Sequence, residues 1–135
     1  MTLTNPRWDA ELIAKRFKTL GYHVTELLDA DTWTATRSIG NYVSLIRRSN
    51  SAAIALMYFA GHGGQVEGRN YIMTVDSANI ASAEDVRRYG IDVGKLMRDV
   101  QVAGAATSVL FLDACRSNPF ADAPWSSGRI ANSSK

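Results

Sequence analysis

Two uninterrupted apolar runs constrain the fold of this chain more than any other feature of its sequence. The first extends from Ala53 to Phe59 and the second from Thr107 to Leu112. Each has the length of one strand and is rich in aliphatic and aromatic residues, which is typical of strands buried on both faces of a sheet. The second run continues into Asp113 and Cys115, the only cysteine of the chain. Functional residues of parallel sheets lie just past the carboxyl ends of the strands, so Cys115 is expected at such an edge.

Helical segments alternate with these runs. Apolar residues at helical spacing predict helices from Asn5 to about Leu20, from about Thr32 to Arg48, and from Asp92 to about Ala103. Two short strands are predicted over 22–28 and 70–75, and 76–89 is predicted to be a polar surface loop with at most one helical turn. Helices alternating with strands predict an α/β fold, a three-layer α-β-α sandwich around a mostly parallel sheet.

The bulk composition excludes several classes of protein. The chain has 135 residues, with 46% hydrophobic and 21% charged, which predicts one soluble globular domain. A net charge of +2 gives no support for binding nucleic acid or an anionic membrane. One cysteine and two histidines exclude an internal disulfide framework and a Cys/His zinc cluster. The free cysteine and the lack of a signal-peptide pattern favour a reducing, cytoplasmic location.

The ends of the two apolar runs carry the residues of a cysteine hydrolase. His62 follows the first run within Ala-Gly-His-Gly-Gly, and Cys115 ends the second. Such an enzyme needs a thiolate, a nearby imidazole and N–H donors for the oxyanion. The glycines beside His62 let the backbone turn sharply, so the N–H groups of Gly63 and Cys115 are the predicted oxyanion donors. Phosphatase, thioredoxin-type and P-loop motifs are absent from the sequence.

Two motifs carry a resemblance to a known family. Tyr-Phe-Ala-Gly-His-Gly at 58–63 and Asp-Ala-Cys-Arg at 113–116 resemble the caspase-like cysteine peptidases (peptidase C14), close to the bacterial metacaspase or orthocaspase type. The histidine precedes the cysteine by about 50 residues, as in the caspase signature. The resemblance spans about Asn5 to Phe120. It implies a caspase fold of the large-subunit (p20) type with a catalytic dyad of His62 and Cys115.

The resemblance also implies a specificity. Caspases place a glutamine two residues before the cysteine to bind an acidic P1 residue, whereas this chain has Asp113. A carboxylate there favours Arg or Lys at P1 by charge complementarity, which is the preference of metacaspase-like enzymes. Asp9 matches the position of a second S1 carboxylate in that family. The expected partner is therefore a peptide or protein substrate with a basic P1 residue, and no nucleic acid or membrane.

The sequence departs from the family pattern at both ends. The apolar strand that precedes the first helix in the family and the p10 region that follows the cysteine are not recognisable. The alternative interpretation is a catalytically inactive p20-like scaffold or regulator, completed by its own dimer or by a p10-like partner. The domain is assigned to 1–120, and 121–135 is expected to be a flexible tail in which Arg129 is a candidate self-cleavage site. No cofactor is expected; some family members need calcium, and no loop for it is recognisable.

Each candidate residue also has an ordinary structural explanation. Cys115 alone would be interpreted as a buried thiol, and the joint match with His62 is what favours a nucleophile. Asp113 could cap a helix, and Asp9 could be a first-turn carboxylate. Asp76 is expected to hold a loop rather than bind substrate. The aromatic residues expected in the core are Trp8, Phe17, Tyr42 and Phe59, and His23 is assigned no role.

Overall fold

The structure, a computed structural model, describes residues 5–49, 53–76 and 80–115. The helices are α1 (Asn5–Thr19), α2 (Thr32–Arg48), α3 (Ala83–Tyr89) and α4 (Val93–Val102). The strands are β1 (Ile54–Val66), β2 (Arg69–Ile72), β3 (Ile91–Asp92) and β4 (Thr107–Cys115). The predicted α/β fold is confirmed, and the three long helices and both apolar strands lie where the sequence predicts them. The boundary at residue 120 and the expected tail lie outside the described residues.

The sheet of the described chain is mixed, so the prediction of a mostly parallel sheet is wrong. Its strand order is β3-β2-β1-β4. β1 and β4 are parallel, whereas β2 pairs antiparallel with both β1 and β3. The reason is that β1 does not stop at Phe59 but continues to Val66 and returns as β2. Glu67 and Gly68, with φ of 50° and 77°, form the tight turn that such a hairpin requires.

Helices cover both faces of the sheet. On one face, Ala55 of β1 packs with residues from α2 and α4 in a core cluster that consists of Ile46, Ala55, Leu96, Val100 and Ala103. On the other face, α3 packs near the far end of β1, where Val66 and Val86 belong to a second cluster. The helix α1 also contacts β1. Val86 and Val100 are fully buried, so each cluster has one side chain completely removed from water.

Side-chain caps explain where the helices begin. The Asp31 carboxylate accepts a hydrogen bond of 2.7 Å from the Thr34 N–H at the start of α2. Asp92 does the same for α4, at 2.9 Å from the Lys95 N–H. Ser82 caps α3, a helix of seven residues, which is longer than the single turn predicted for the 76–89 loop. Of the helices described, none is long and apolar enough to span a membrane.

Two predictions about the N-terminal third of the chain are wrong. Residues 22–28 are not a strand, because they form no ladder with any strand of the described sheet, and strand conformation needs a hydrogen-bonded neighbour. Trp8 is 74% exposed rather than in the core. In the described chain, the inner side of α1 is occupied by Ala14, which is buried, and by the half-buried Ile13 and Phe17. Tyr42 and Phe59 are also half-buried.

Candidate active site

His62 lies at the point where β1 changes neighbours. Within the described residues, the parallel ladder between β1 and β4 extends to His62, and the antiparallel ladder between β1 and β2 begins at Gly63. The sequence predicted His62 in a loop after the strand, but the structure places it inside a continuous strand. The His62 carbonyl accepts a hydrogen bond of 3.0 Å from the Met73 N–H just past β2. The His62 side chain is exposed, so a substrate can reach it.

The register of the parallel ladder brings the two predicted dyad residues together. Cys115 is the residue of β4 that pairs with His62 of β1. Adjacent strands lie about 4.8 Å apart, so the backbones of the two residues are direct neighbours. This pairing follows from the position of each residue at the end of its apolar run. The ladder pairs Ile54 with Thr107 at its start, and His62 and Cys115 each lie eight positions further along.

Two glycines beside His62 are required by the backbone geometry. Gly61 has φ of 155°, and a Cβ built there would lie 2.9 Å from Cζ of the Phe59 ring. A Cβ at Gly63 would lie 3.0 Å from the Cβ of Ala114. Because Ala114 directly precedes Cys115, the absence of a side chain at Gly63 allows β4 to approach β1 closely beside the predicted dyad.

The two ladders of β1 indicate which way the Gly63 peptide points, while its oxyanion role stays a prediction. In an antiparallel ladder, the residues of successive pairs point their N–H groups alternately toward and away from the partner strand. His62 receives its hydrogen bond from Met73 across this ladder, so Gly63, paired with Ile72, directs its N–H away from β2. That side of β1 faces β4, where Cys115 lies. The backbone therefore presents the Gly63 N–H on the same side of β1 as the predicted nucleophile.

Tyr58 lies near both carboxylates that were predicted to form the S1 site. Partial burial raises the pKa of the Tyr58 phenol, and the negative charges of Asp113 and Asp9 raise it further. Asp113 follows the ladder partner of Tyr58 by two positions, which puts it on the same face of the sheet. Asp9 is on α1, which contacts β1. Both carboxylates are exposed and can meet a ligand.

Sequence reasoning assigned no functional role to Tyr58. The available signal was the alternation along β1, because positions 58 and 62 are separated by two strand repeats of two residues each and therefore share a face. The candidate self-cleavage residue Arg129 lies outside the described residues. Within the described ranges, no three or more His, Cys, Asp or Glu residues form a group that could hold a metal ion.

Comparisons with known proteins identify the family of the chain. A family model described as the caspase domain (peptidase C14) matches residues 1–134. Human mucosa-associated lymphoid tissue lymphoma translocation protein 1 is 24% identical to the chain over 114 residues, which is 84% of the chain. The homologous mouse protein matches over the same length at the same identity. The chain spans only 13% of the length of these two relatives.

Proposed function

This chain belongs to the caspase domain family of cysteine peptidases, and we propose that it is an endopeptidase that cleaves after Arg or Lys with a dyad of His62 and Cys115. The observation that carries the proposal is the pairing of these two residues at the end of the β1/β4 ladder. A lone buried thiol would have no reason to lie opposite an exposed histidine flanked by glycines. The family match supports a cysteine peptidase, and the register supports these two residues as the dyad.

The mechanism that we propose is acyl transfer to sulfur. His62 removes the thiol proton of Cys115, and the sulfur attacks the scissile carbonyl carbon, which becomes a tetrahedral oxyanion. The N–H groups of Gly63 and Cys115 stabilise that oxyanion. The C–N bond then breaks, and His62 returns the proton to the leaving amine. Water, deprotonated by His62, hydrolyses the resulting thioester and frees the enzyme.

The two exposed carboxylates beside Tyr58 support the proposed preference for a basic P1 residue. Asp113 precedes Cys115 by two positions on β4, so it shares a face of the strand with the nucleophile position. Asp9 approaches the same tyrosine from α1. A guanidinium or ammonium group placed between two carboxylates gains charge-assisted hydrogen bonds, whereas an acidic P1 side chain would be repelled.

Peptide cleavage tests the proposal directly. The purified chain is incubated with fluorogenic peptides that differ only in having Arg or Asp at P1, beside a Cys115→Ala variant. We expect turnover of the Arg peptide alone, and none by Cys115→Ala. The Asp113→Ala variant should lower kcat/KM for the Arg peptide by roughly 10- to 100-fold, the worth of a hydrogen bond to a charged group. Asp99→Asn, which removes an exposed carboxylate on α4, is the control and should leave the rate unchanged. Equal cleavage of Arg and Asp peptides would contradict the specificity.

One observation favours a second candidate function, a self-associating scaffold. In the described sheet β4 is an edge strand, because β1 is its only neighbour. Phe111 is 51% exposed and Leu112 is 43% exposed, and they lie on opposite faces of the strand. A long edge strand with exposed apolar residues is a template for pairing with another chain. Two copies that pair β4 with β4 in antiparallel fashion would form a closed two-fold dimer.

The oligomeric state distinguishes this second candidate from a monomeric enzyme. Light scattering after size exclusion is measured over a range of concentrations for the wild type and for Leu112→Lys. A dimer that Leu112→Lys dissociates supports pairing through β4. Val102→Lys is the control, because Val102 is 82% exposed but belongs to α4 and not to the edge strand. A monomer at all concentrations would rule the scaffold dimer out.

A further inference from the structure

The segment Met73–Asp76 follows β2 and forms hydrogen bonds at both ends, with His62 of the proposed dyad at one end and with the start of α2 at the other. At its start, the Met73 N–H donates to the carbonyl of His62. At its end, the Asp76 carboxylate binds the first residue of α2, Thr32. Between them, the Val75 N–H donates to the carbonyl of Ala30 at 3.2 Å. The segment therefore connects His62 to the start of a helix that belongs to the core.

Asp76 is the residue that makes the connection to α2. Its Oδ1 accepts from the Thr32 N–H at 3.1 Å and from the Thr32 hydroxyl at 2.8 Å. The hydroxyl of Thr74 donates to the same oxygen. The hydrogen bond from Thr74, followed by those from Thr32, lowers the pKa of Asp76, which stays ionised at neutral pH. The N–H of Thr32 has no partner within its own helix, so an external carboxylate satisfies it.

The Thr32 hydroxyl extends this contact to a third element. It lies 3.2 Å from the carbonyl of Tyr89, the last residue of α3. Asp76, Thr74 and Thr32 thus lie where α2, α3 and the segment after β2 meet. We call this group the Asp76 cluster. Because α2 and α3 pack on opposite faces of the sheet, the cluster holds the Met73–Asp76 segment against two separate layers.

The position of His62 depends on this segment for a specific reason. Its side chain is exposed, so close packing of the ring does not determine where the residue lies. Within the described residues, His62 is the last residue of β1 that pairs with β4, and on the hairpin side its carbonyl is held by Met73, which lies beyond the last residue of β2. A displacement of Met73 would therefore move the His62 carbonyl, and with it the imidazole, relative to Cys115.

We infer that Asp76 is a positioning residue for the dyad, because it anchors the segment whose Met73 N–H holds the backbone of His62. This inference rests on the proposed function. Asp76 touches no reacting atom; it acts through Met73 and His62. The prediction from sequence that Asp76 holds a loop agrees with the contacts, and the inference adds that this loop positions the backbone of His62.

Alkylation of Cys115 tests the inference without requiring a substrate. The chain has one cysteine, so the rate of reaction with iodoacetamide reports on this thiol alone. The rate is measured against pH for the wild type and for His62→Ala, Asp76→Ala and Asp31→Ala, with circular dichroism as the check of folding. Asp31→Ala is the matched control, because Asp31 caps the same helix through Thr34 and does not bond the Met73–Asp76 segment. Asp76→Asn, which keeps one acceptor oxygen, serves as the conservative variant.

The expected pattern separates positioning from general stability. A thiol assisted by an imidazole reacts at neutral pH, and an isolated one follows a pKa of about 8.5. We expect His62→Ala to slow alkylation at pH 7 by roughly tenfold and Asp76→Ala by roughly threefold or more, with a smaller effect for Asp76→Asn and none for Asp31→Ala.

Each other outcome refutes either the positioning role of Asp76 or the dyad itself. If Asp76→Ala reacts like the wild type while His62→Ala is slowed, the positioning role is wrong and the dyad stands. If Asp31→Ala is slowed as much as Asp76→Ala, the effect belongs to the start of α2 and the positioning role is again wrong. If His62→Ala has no effect, the dyad itself is refuted. Should Asp76→Ala fail to fold, the comparison of Asp76→Asn with Asp31→Ala decides, and equal rates refute the inference.

Discussion

A methyl group added at Gly63 should separate β1 from β4 beside the predicted dyad. The new Cβ would lie 3.0 Å from the Cβ of Ala114 and 3.6 Å from the carbonyl oxygen of Tyr71. Nonbonded carbon atoms prefer separations of about 3.5 to 4.0 Å, so the strands must move apart by about 0.5 to 1 Å. Overpacking of this kind costs about 1 to 3 kcal/mol, and the removal of a flexible glycine from a strand returns about 0.5 to 1 kcal/mol. Gly63→Ala should therefore destabilise the fold by about 0.5 to 2 kcal/mol.

The measurement uses urea unfolding together with cleavage of the Arg peptide. The neighbouring Gly64→Ala is the matched control, because its Cβ would meet only Met73 and Val86 at ordinary distances of 3.7 and 3.8 Å. We expect Gly64→Ala to be neutral or slightly stabilising. A shift of about 1 Å in a catalytic group costs up to about 100-fold in rate, so Gly63→Ala should lower kcat/KM by at least about tenfold.

A double variant locates the cause of the effect. Gly63→Ala combined with Ala114→Gly removes the clash, and the two substitutions should be non-additive by about 1 to 2 kcal/mol in the free energy of unfolding. The reasoning is refuted if Gly63→Ala is as stable as Gly64→Ala, or if Ala114→Gly recovers nothing in the double variant. Either result would mean that the two strands do not approach closely at this point.

Three further predictions follow from the packing and the charges. Val100→Ala should cost about 2 kcal/mol in urea unfolding because Val100 is fully buried, whereas Val102→Ala on the same helix, 82% exposed, should cost less than about 0.5 kcal/mol. The folded-state pKa of Asp76 lies below its unfolded value of about 3.9, so the stability that the carboxylate adds is present above that pH and is lost as the pH falls through the folded pKa. The unfolding midpoints of the wild type and Asp76→Asn should therefore differ at pH 7 and converge below about pH 4. A difference between the two midpoints that does not depend on pH would contradict this. The pKa of Tyr58, followed by NMR of labelled tyrosine, should fall in Asp113→Asn because a nearby negative charge is removed, and an unchanged value would mean that the two groups are not neighbours.

Much of the candidate site was predictable because it depends on local patterns. The two apolar runs predict two buried strands, and the residues that end them are visible in the sequence. Because the carboxyl ends of parallel strands meet at one edge of a sheet, His62 and Cys115 were expected close together, and the register pairs them. The helix caps at Asp31 and Asp92 were predictable for the same reason, since a cap involves residues only three positions apart.

The contacts of the Asp76 cluster could not be derived in this way. Asp76 and Thr32 are separated by more than forty positions, and their hydrogen bond depends on the path of the intervening strands. The sequence indicated only that Asp76 holds a loop. The same limit applies to Tyr58, whose neighbours Asp9 and Asp113 come from a helix and a strand at opposite ends of the described chain.

Local sequence patterns determine which segments of this chain become helices and buried strands, because burial and capping depend on residues that are close in sequence. His62 and Cys115 stand out at the ends of two of these segments, whereas Asp113 is singled out by the family resemblance. The pairing of those segments is decided by hydrogen bonds and packing between distant parts of the chain. For that reason the extension of β1 through His62 to Val66, the mixed sheet, the irregular conformation of 22–28 and the exposure of Trp8 emerge only in the folded molecule. An apolar residue is buried only where another surface covers it, and the sequence of a segment does not specify that surface.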